Sequence, residues 1–181
     1  MTFTNVRSTM NYQSQLSKEH SRSNTDKIAK AIGNNAVEFK KIIEIIYNEK
    51  APLPQRAAWL LAVVNNKHPE LLKPYLKLFI DTVQSFKIAG IKRGMLNVLA
   101  SHKIPEKLQG KLINLCFDNI LSSDETLAIK VFSLQCIGNI AKVHPELIPE
   151  LKAAIEDQLP KTTIGFHARA RLVMKELGRQ K

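Results

Sequence analysis

Residues 131–159 read VFSLQCIGNIAKVHPELIPELKAAIEDQL: an apolar run, a His-Pro-Glu break, and a second apolar run of helical period. The break has a copy upstream. Lys67-His68-Pro69-Glu70-Leu71-Leu72-Lys73-Pro74-Tyr75-Leu76-Lys77 returns as Val143-His144-Pro145-Glu146-Leu147-Ile148-Pro149-Glu150-Leu151-Lys152 with one residue fewer. His68 and His144 are 76 residues apart, two periods of 38, and a weaker copy, Ile104-Pro105-Glu106-Lys107-Leu108, lies between them. A proline in the first turn of a helix loses no intrahelical hydrogen bond, and an acidic neighbour complements the helix dipole. The residue before a proline is pushed out of the α region, so His68, Ile104 and His144 mark the ends of the preceding helices. Each unit is therefore a first helix (57–66, 94–101, 131–141), a turn, and a second helix (75–83, 112–121, 151–159).

The rest of the chain follows the same period. In 36–47, Val37, Ile42, Ile43, Ile45 and Ile46 form one stripe, while Glu38, Lys40, Lys41 and Glu44 stay polar. No segment pairs clean period-two alternation with hairpin turn chemistry, and 7 glycines and 8 prolines in 181 residues are few for a fold of tight turns. The chain reads as all-α, built of stacked antiparallel helix pairs, because one pair cannot bury both its faces and stacking makes a continuous core. The expected organisation is a polar, flexible N-terminal tail over 1–24 and a single repeat domain over 25–181. Within that domain come an N-terminal helix pair (25–50), three repeats (51–85, 86–123 and 124–160) and a C-terminal capping helix (161–181). Leu134 and Ile137 are expected between units.

The pattern in 131–159 resembles a HEAT or armadillo-type repeat, on Leu134, Gly138, Ala141, Pro145, Leu151 and Glu156, with Leu60, Pro69, Leu76 and Asp81 at matching places in the earlier copy. The resemblance covers about residues 51–160. It implies a short right-handed α-solenoid, an armadillo/HEAT-like superhelix, whose work is to bind other macromolecules.

Composition excludes several classes. The chain is 44% apolar and 24% charged, which fits a folded domain and not a disordered one. No apolar run approaches the ~20 residues of a membrane span, and the N-terminal stretch lacks the apolar core of a secretory signal. Cys116 and Cys136 sit in apolar runs outside any zinc-ligand spacing, so they read as buried, unpaired thiols of a cytoplasmic protein. The five histidines form no HExxH and no pair at i, i+4; His68 and His144, at equivalent turns, read as helix C-terminal caps. Trp59 reads as partly buried packing. No phosphate-binding glycine loop is present, and the adjacent carboxylates Asp124-Glu125 and Glu156-Asp157 read as caps or a solvated face. We expect no catalytic set, no metal site, no cofactor and no enzymatic activity.

Charge carries the functional signal. The total is 27 basic against 16 acidic residues, net +11, but 86–111 holds six basic and one acidic, 112–160 three and seven, and 161–181 six and one. Lys73 and Lys77, and again Lys107 and Lys111, stand at i, i+4 on second helices; Lys92 and Arg93 open a first helix; His167, Arg171 and Lys175 make an i, i+4, i+8 stripe. Either these are a lysine-rich solvated surface or they hold an anionic partner. Side-by-side second helices would run from these lysines to Glu146, Glu150 and Glu156, a bipolar face suited to a protein or peptide partner. The alternative, from resemblance to HEAT-like DNA alkylation-repair proteins, is nucleic-acid binding. The sequence leaves the oligomeric state open.

Overall fold

Short polar side chains start the first three helices. Asn11 caps α1 (Tyr12–Lys18) by accepting from the Ser14 N–H, Ser21 caps α2 (Arg22–Ile32) through Asn24, and Asn35 caps α3 (Ala36–Asn48) through Val37 and Glu38. Gly33 ends α2 at φ +54°, backbone that a side chain rarely adopts. In the computed structural model, which describes residues 10–179, these helices and α4 (Leu53–Lys67) make one compact unit ending at Leu71. α4 is its hub, packing on α1, α2 and α3.

The segment expected as a flexible tail carries α1 and the start of α2; its residues 1–9 lie outside the described ones. Tyr12 and Leu16, one turn apart, are buried. The Tyr12 hydroxyl donates to Glu38 at 2.6 Å, and Arg56 of α4 donates from Nη1 to the carbonyls of Leu16 and Ser17 at 2.7 and 3.1 Å, satisfying the C-terminal end of α1. His20 meets Trp59 edge-on, with ring centroids 4.8 Å apart. Two buried side chains and a ring contact, supported by main-chain hydrogen bonds, dock a segment whose composition is polar.

The second unit starts at Leu72. It holds α5 (Leu76–Thr82), α6 (Ala89–Ser101), α7 (Glu106–Leu121), α8 (Leu127–Ala141), α9 (Ile148–Gln158) and α10 (Ile164–Gly178). The first helices pack in the series α6, α8, α10 and the second helices in the series α5, α7, α9, with α7 against α8 joining the two layers. The boundary between the two units, Leu71 to Leu72, falls inside the expected first repeat (51–85) of the expected single domain over 25–181.

The X-Pro turns end helices where expected, with one refinement. Pro69 and Pro145 open short 3-10 turns (Pro69–Leu71, Pro145–Leu147) rather than the second helices themselves. Pro74 and Pro149, in the first turns beyond, set the entries to α5 and α9. The middle copy has Gly110 in place of a second proline, and α7 runs directly from Glu106. The rings of His68 and His144 pair with Glu70 and Glu146 at 3.5 and 3.2 Å; the caps at these helix ends are made by the histidines' backbone N–H groups, which bond Val64 and Ile140.

α8 packs against α6, α7, α9 and α10, and Leu134 and Ile137 are fully buried in it. At Gly138 α10 comes close: a Cβ there would sit 2.5 Å from Cγ1 of Val173, a stiff branched side chain. Gly138→Ala is expected to destabilise by about 1–3 kcal/mol, overpacking outweighing the gain in helix propensity. A Cβ on Gly110, also helical, meets nothing within 4 Å, and Gly110→Ala is expected to stabilise by roughly 0.5–1 kcal/mol. Urea unfolding of the two variants checks the contrast; equal midpoints would contradict the close α8–α10 approach.

Candidate partner-binding site

Because α5 packs beside α7, side chains at equivalent repeat positions become neighbours. Lys77 pairs with Asp81 one turn on, and Lys111 reaches the other oxygen of that carboxylate from α7 at 2.7 Å. Lys111 and then Lys77 hold the Asp81 carboxyl below the usual carboxylate range. The two lysine pairs therefore meet, but around an acid that neutralises part of their charge. Lys73 and Lys107 are exposed and have no carboxylate at ion-pair distance among the described residues. α9 follows α7 in the layer and carries exposed Glu150 and Glu156, the latter paired with Lys152 at 3.8 Å, so the layer runs from mainly lysines to mainly carboxylates.

A second feature was not expected. The turns joining first to second helices line up along one edge and enclose a groove of about 720 Å³, lined by Lys73 and Leu76 at the entry to α5, His102 to Glu106 of the α6–α7 turn, Gln109, and Val143 and His144 of the α8–α9 turn. It continues into a hollow of about 340 Å³ above Leu99, Cys136 and Ile140. Ile104, Leu99 and Ile140 are buried in its floor, while Val143 is 65% exposed on its wall. Gln109 Nε2 donates to the Ile104 carbonyl at 3.0 Å and Asn139 Nδ2 to the Ala100 carbonyl at 2.7 Å, fixing both sides of the α6–α7 turn. Lys142 is tied to Glu176 at 2.8 Å, whereas Lys103 is exposed and without a carboxylate partner among the described residues. Burial, and next Lys73, hold the His102 imidazole below its ordinary range.

The other expected site residues separate. Lys92 is buried on α6 and paired with Glu125, whereas Arg93 beside it is exposed. A signal was present: at helical spacing Lys92 falls with Ile88, Met95, Leu96 and Leu99, on the apolar face. On α10, Arg171 and Lys175 are exposed; His167 is half-buried, its Nε2–H donating to the Leu159 carbonyl at 2.8 Å. Arg169, on the same helix, donates to Gln135 at 2.7 Å. Cys116 and Cys136 are free thiols, both buried. A hydrogen bond with Cys116, together with burial, pushes the Cys136 thiol well up.

The family model of the HEAT repeat domain matches residues 12–177. The chain belongs to the HEAT repeat domain family. No curated protein and no solved structure matches it significantly. The HEAT match begins at Tyr12, the first residue of α1, which agrees with the docking of that helix. It extends past the three Pro-Glu units to both flanks and fits an all-α solenoid of paired helices. As a HEAT repeat chain its general role is that of a repeat-built interaction scaffold. Among the described residues no group of three His, Cys, Asp or Glu side chains is placed to hold a metal ion, and no helix is long and apolar enough to cross a membrane.

The Lys92–Glu125 pair distinguishes framework from free surface. Lys92→Ala leaves a mostly buried carboxylate unpaired and is expected to cost about 3 kcal/mol, whereas Arg93→Ala is expected within about 0.5 kcal/mol of wild type. Chemical unfolding of both variants checks this; equal stabilities would return Lys92 to the solvent-facing set.

Proposed function

We propose that this chain is a non-enzymatic scaffold that holds a protein or peptide partner on the surface of its second unit, with Lys73, Lys77, Lys107 and Lys111 forming the positive end of the binding face. The observation that carries this reading is the meeting of α5 and α7 at Asp81: lysines 34 residues apart in sequence, Lys77 and Lys111, share one carboxylate. Around them Lys73 and Lys107 have no carboxylate partner among the described residues, and the layer turns mainly acidic on α9. Such a surface complements a partner with charges in the opposite order. A polyphosphate would gain at α5 and α7 and be repelled at α9. Arg93, Arg171 and Lys175 are exposed and form secondary candidates, with His167 contributing only its uncovered ring edge.

Two measurements test the reading together. Association with a native partner, recovered with the full chain, is expected to weaken at least tenfold in the Lys73→Glu, Lys77→Glu, Lys107→Glu, Lys111→Glu variant. Binding to random-sequence duplex and single-stranded DNA is expected to be absent at physiological salt. DNA binding with a steep negative slope of log K against log salt, and partner retention unchanged in the variant, would favour the nucleic-acid reading instead.

A further inference from the structure

The groove along the turn edge asks for a particular occupant. Its floor is apolar and its wall ends in Val143, which at 65% exposure leaves a branched hydrocarbon in water next to Lys73 and Lys103, two lysines without carboxylate partners among the described residues. Lys107, on the outer side of the same turn, also has no carboxylate partner among the described residues. The lining holds one carboxylate, Glu106. Burying the floor favours an apolar side chain at about 25 cal/mol per Å² covered, and the lysines favour carboxylates on either side of it. The dimensions suit an extended segment: about 720 Å³ of groove opening on a deeper hollow of about 340 Å³ accommodates one anchor side chain and a few flanking residues. An anionic lipid surface or a polyphosphate would use the lysines but leave the hollow empty.

We infer that the turn-edge groove of the second unit binds an acidic, extended peptide segment of a partner protein, seating one apolar side chain over Ile104 and Val143 and its flanking carboxylates on Lys73 and Lys103. This rests on the reading of the chain as a peptide-binding scaffold and places the contact on the turns rather than on the helix faces. Lys73 belongs to both surfaces; Lys103 and Val143 belong to the groove alone.

The test is selection of a displayed random-peptide library on the full chain, followed by measured binding of individual selected peptides. Enriched peptides are expected to carry a Leu, Ile or Phe flanked by Asp or Glu. Their affinity is expected to fall at least tenfold in Lys103→Glu and in Val143→Asp, two exposed positions whose substitution leaves the helices intact, as far-UV circular dichroism verifies. Replacing the apolar residue of the peptide with serine is expected to produce a similar loss. Enriched peptides that lose affinity in Lys77→Glu, Lys111→Glu but not in Lys103→Glu or Val143→Asp would overturn the groove while leaving the scaffold reading in place. Basic enriched peptides, or none enriched, would overturn both. Binding of duplex DNA or of phosphatidylserine vesicles that is lost in Lys103→Glu while no peptide binds would overturn the groove's assignment to a peptide.

Discussion

α8 has no polar face, and the second unit is arranged around that fact. Ile129, Leu134, Cys136, Ile137, Ile140 and Ala141 are all buried, the strip of Val131, Phe132, Gln135 and Asn139 is half-buried, and only Leu127 is exposed. A helix this apolar must be covered on several sides, and here α6, α7, α9 and α10 pack against it. Its few buried polar groups then need partners inside the protein, since an unsatisfied one costs about 1–3 kcal/mol. Each finds one on a different neighbour. Lys130 donates to Gln158 of α9 at 2.5 Å, Ser133 accepts from Asn119 of α7 at 3.0 Å, and Gln135 accepts from Arg169 of α10. Asn139 reaches the end of α6, and Gly138 admits Val173. Apolar burial supplies the drive to cover α8, and these directional bonds fix how far each neighbour may slide along it.

The candidate binding surfaces follow from that register. With α6, α8 and α10 aligned in one layer, the second helices align in the other, and Lys111 of α7 arrives within 2.7 Å of Asp81 of α5. The same alignment brings the turns into file. The groove exists because the α6–α7 and α8–α9 turns stand next to each other, with Asn139 of α8 holding the Ala100 carbonyl between them. Lys130, buried and bonded to a neutral amide, illustrates the cost: burial, and next Lys161, lower its pKa below the ordinary lysine value.

Much of this was legible in residues 67–77 and 143–152. Proline excludes the preceding residue from the α region whatever the tertiary context, so helix ends at His68 and His144 could be read without knowing what packs where. What resisted reading depends on context. Tyr12 and Leu16 are only two apolar residues at i, i+4 in a polar stretch, and their burial rests on Glu38 and Arg56, 26 and 40 residues away. The groove is assembled from three turns, and helical periodicity carries no information about what turns enclose. Lys92 was readable and misread: charge drew it into the partner set, while its spacing from Met95, Leu96 and Leu99 put it on the buried face.

Native-state hydrogen exchange of the second unit reads the central claim directly. If the unit is organised around α8, the amides of 131–140 exchange only by global unfolding. They should be the slowest in 72–179, with those of α5 and of the turn at 102–105 exchanging faster by local opening. Amides of α8 that exchange as fast as those of α5, while α7 or α10 stays protected, would show that the unit does not depend on this helix.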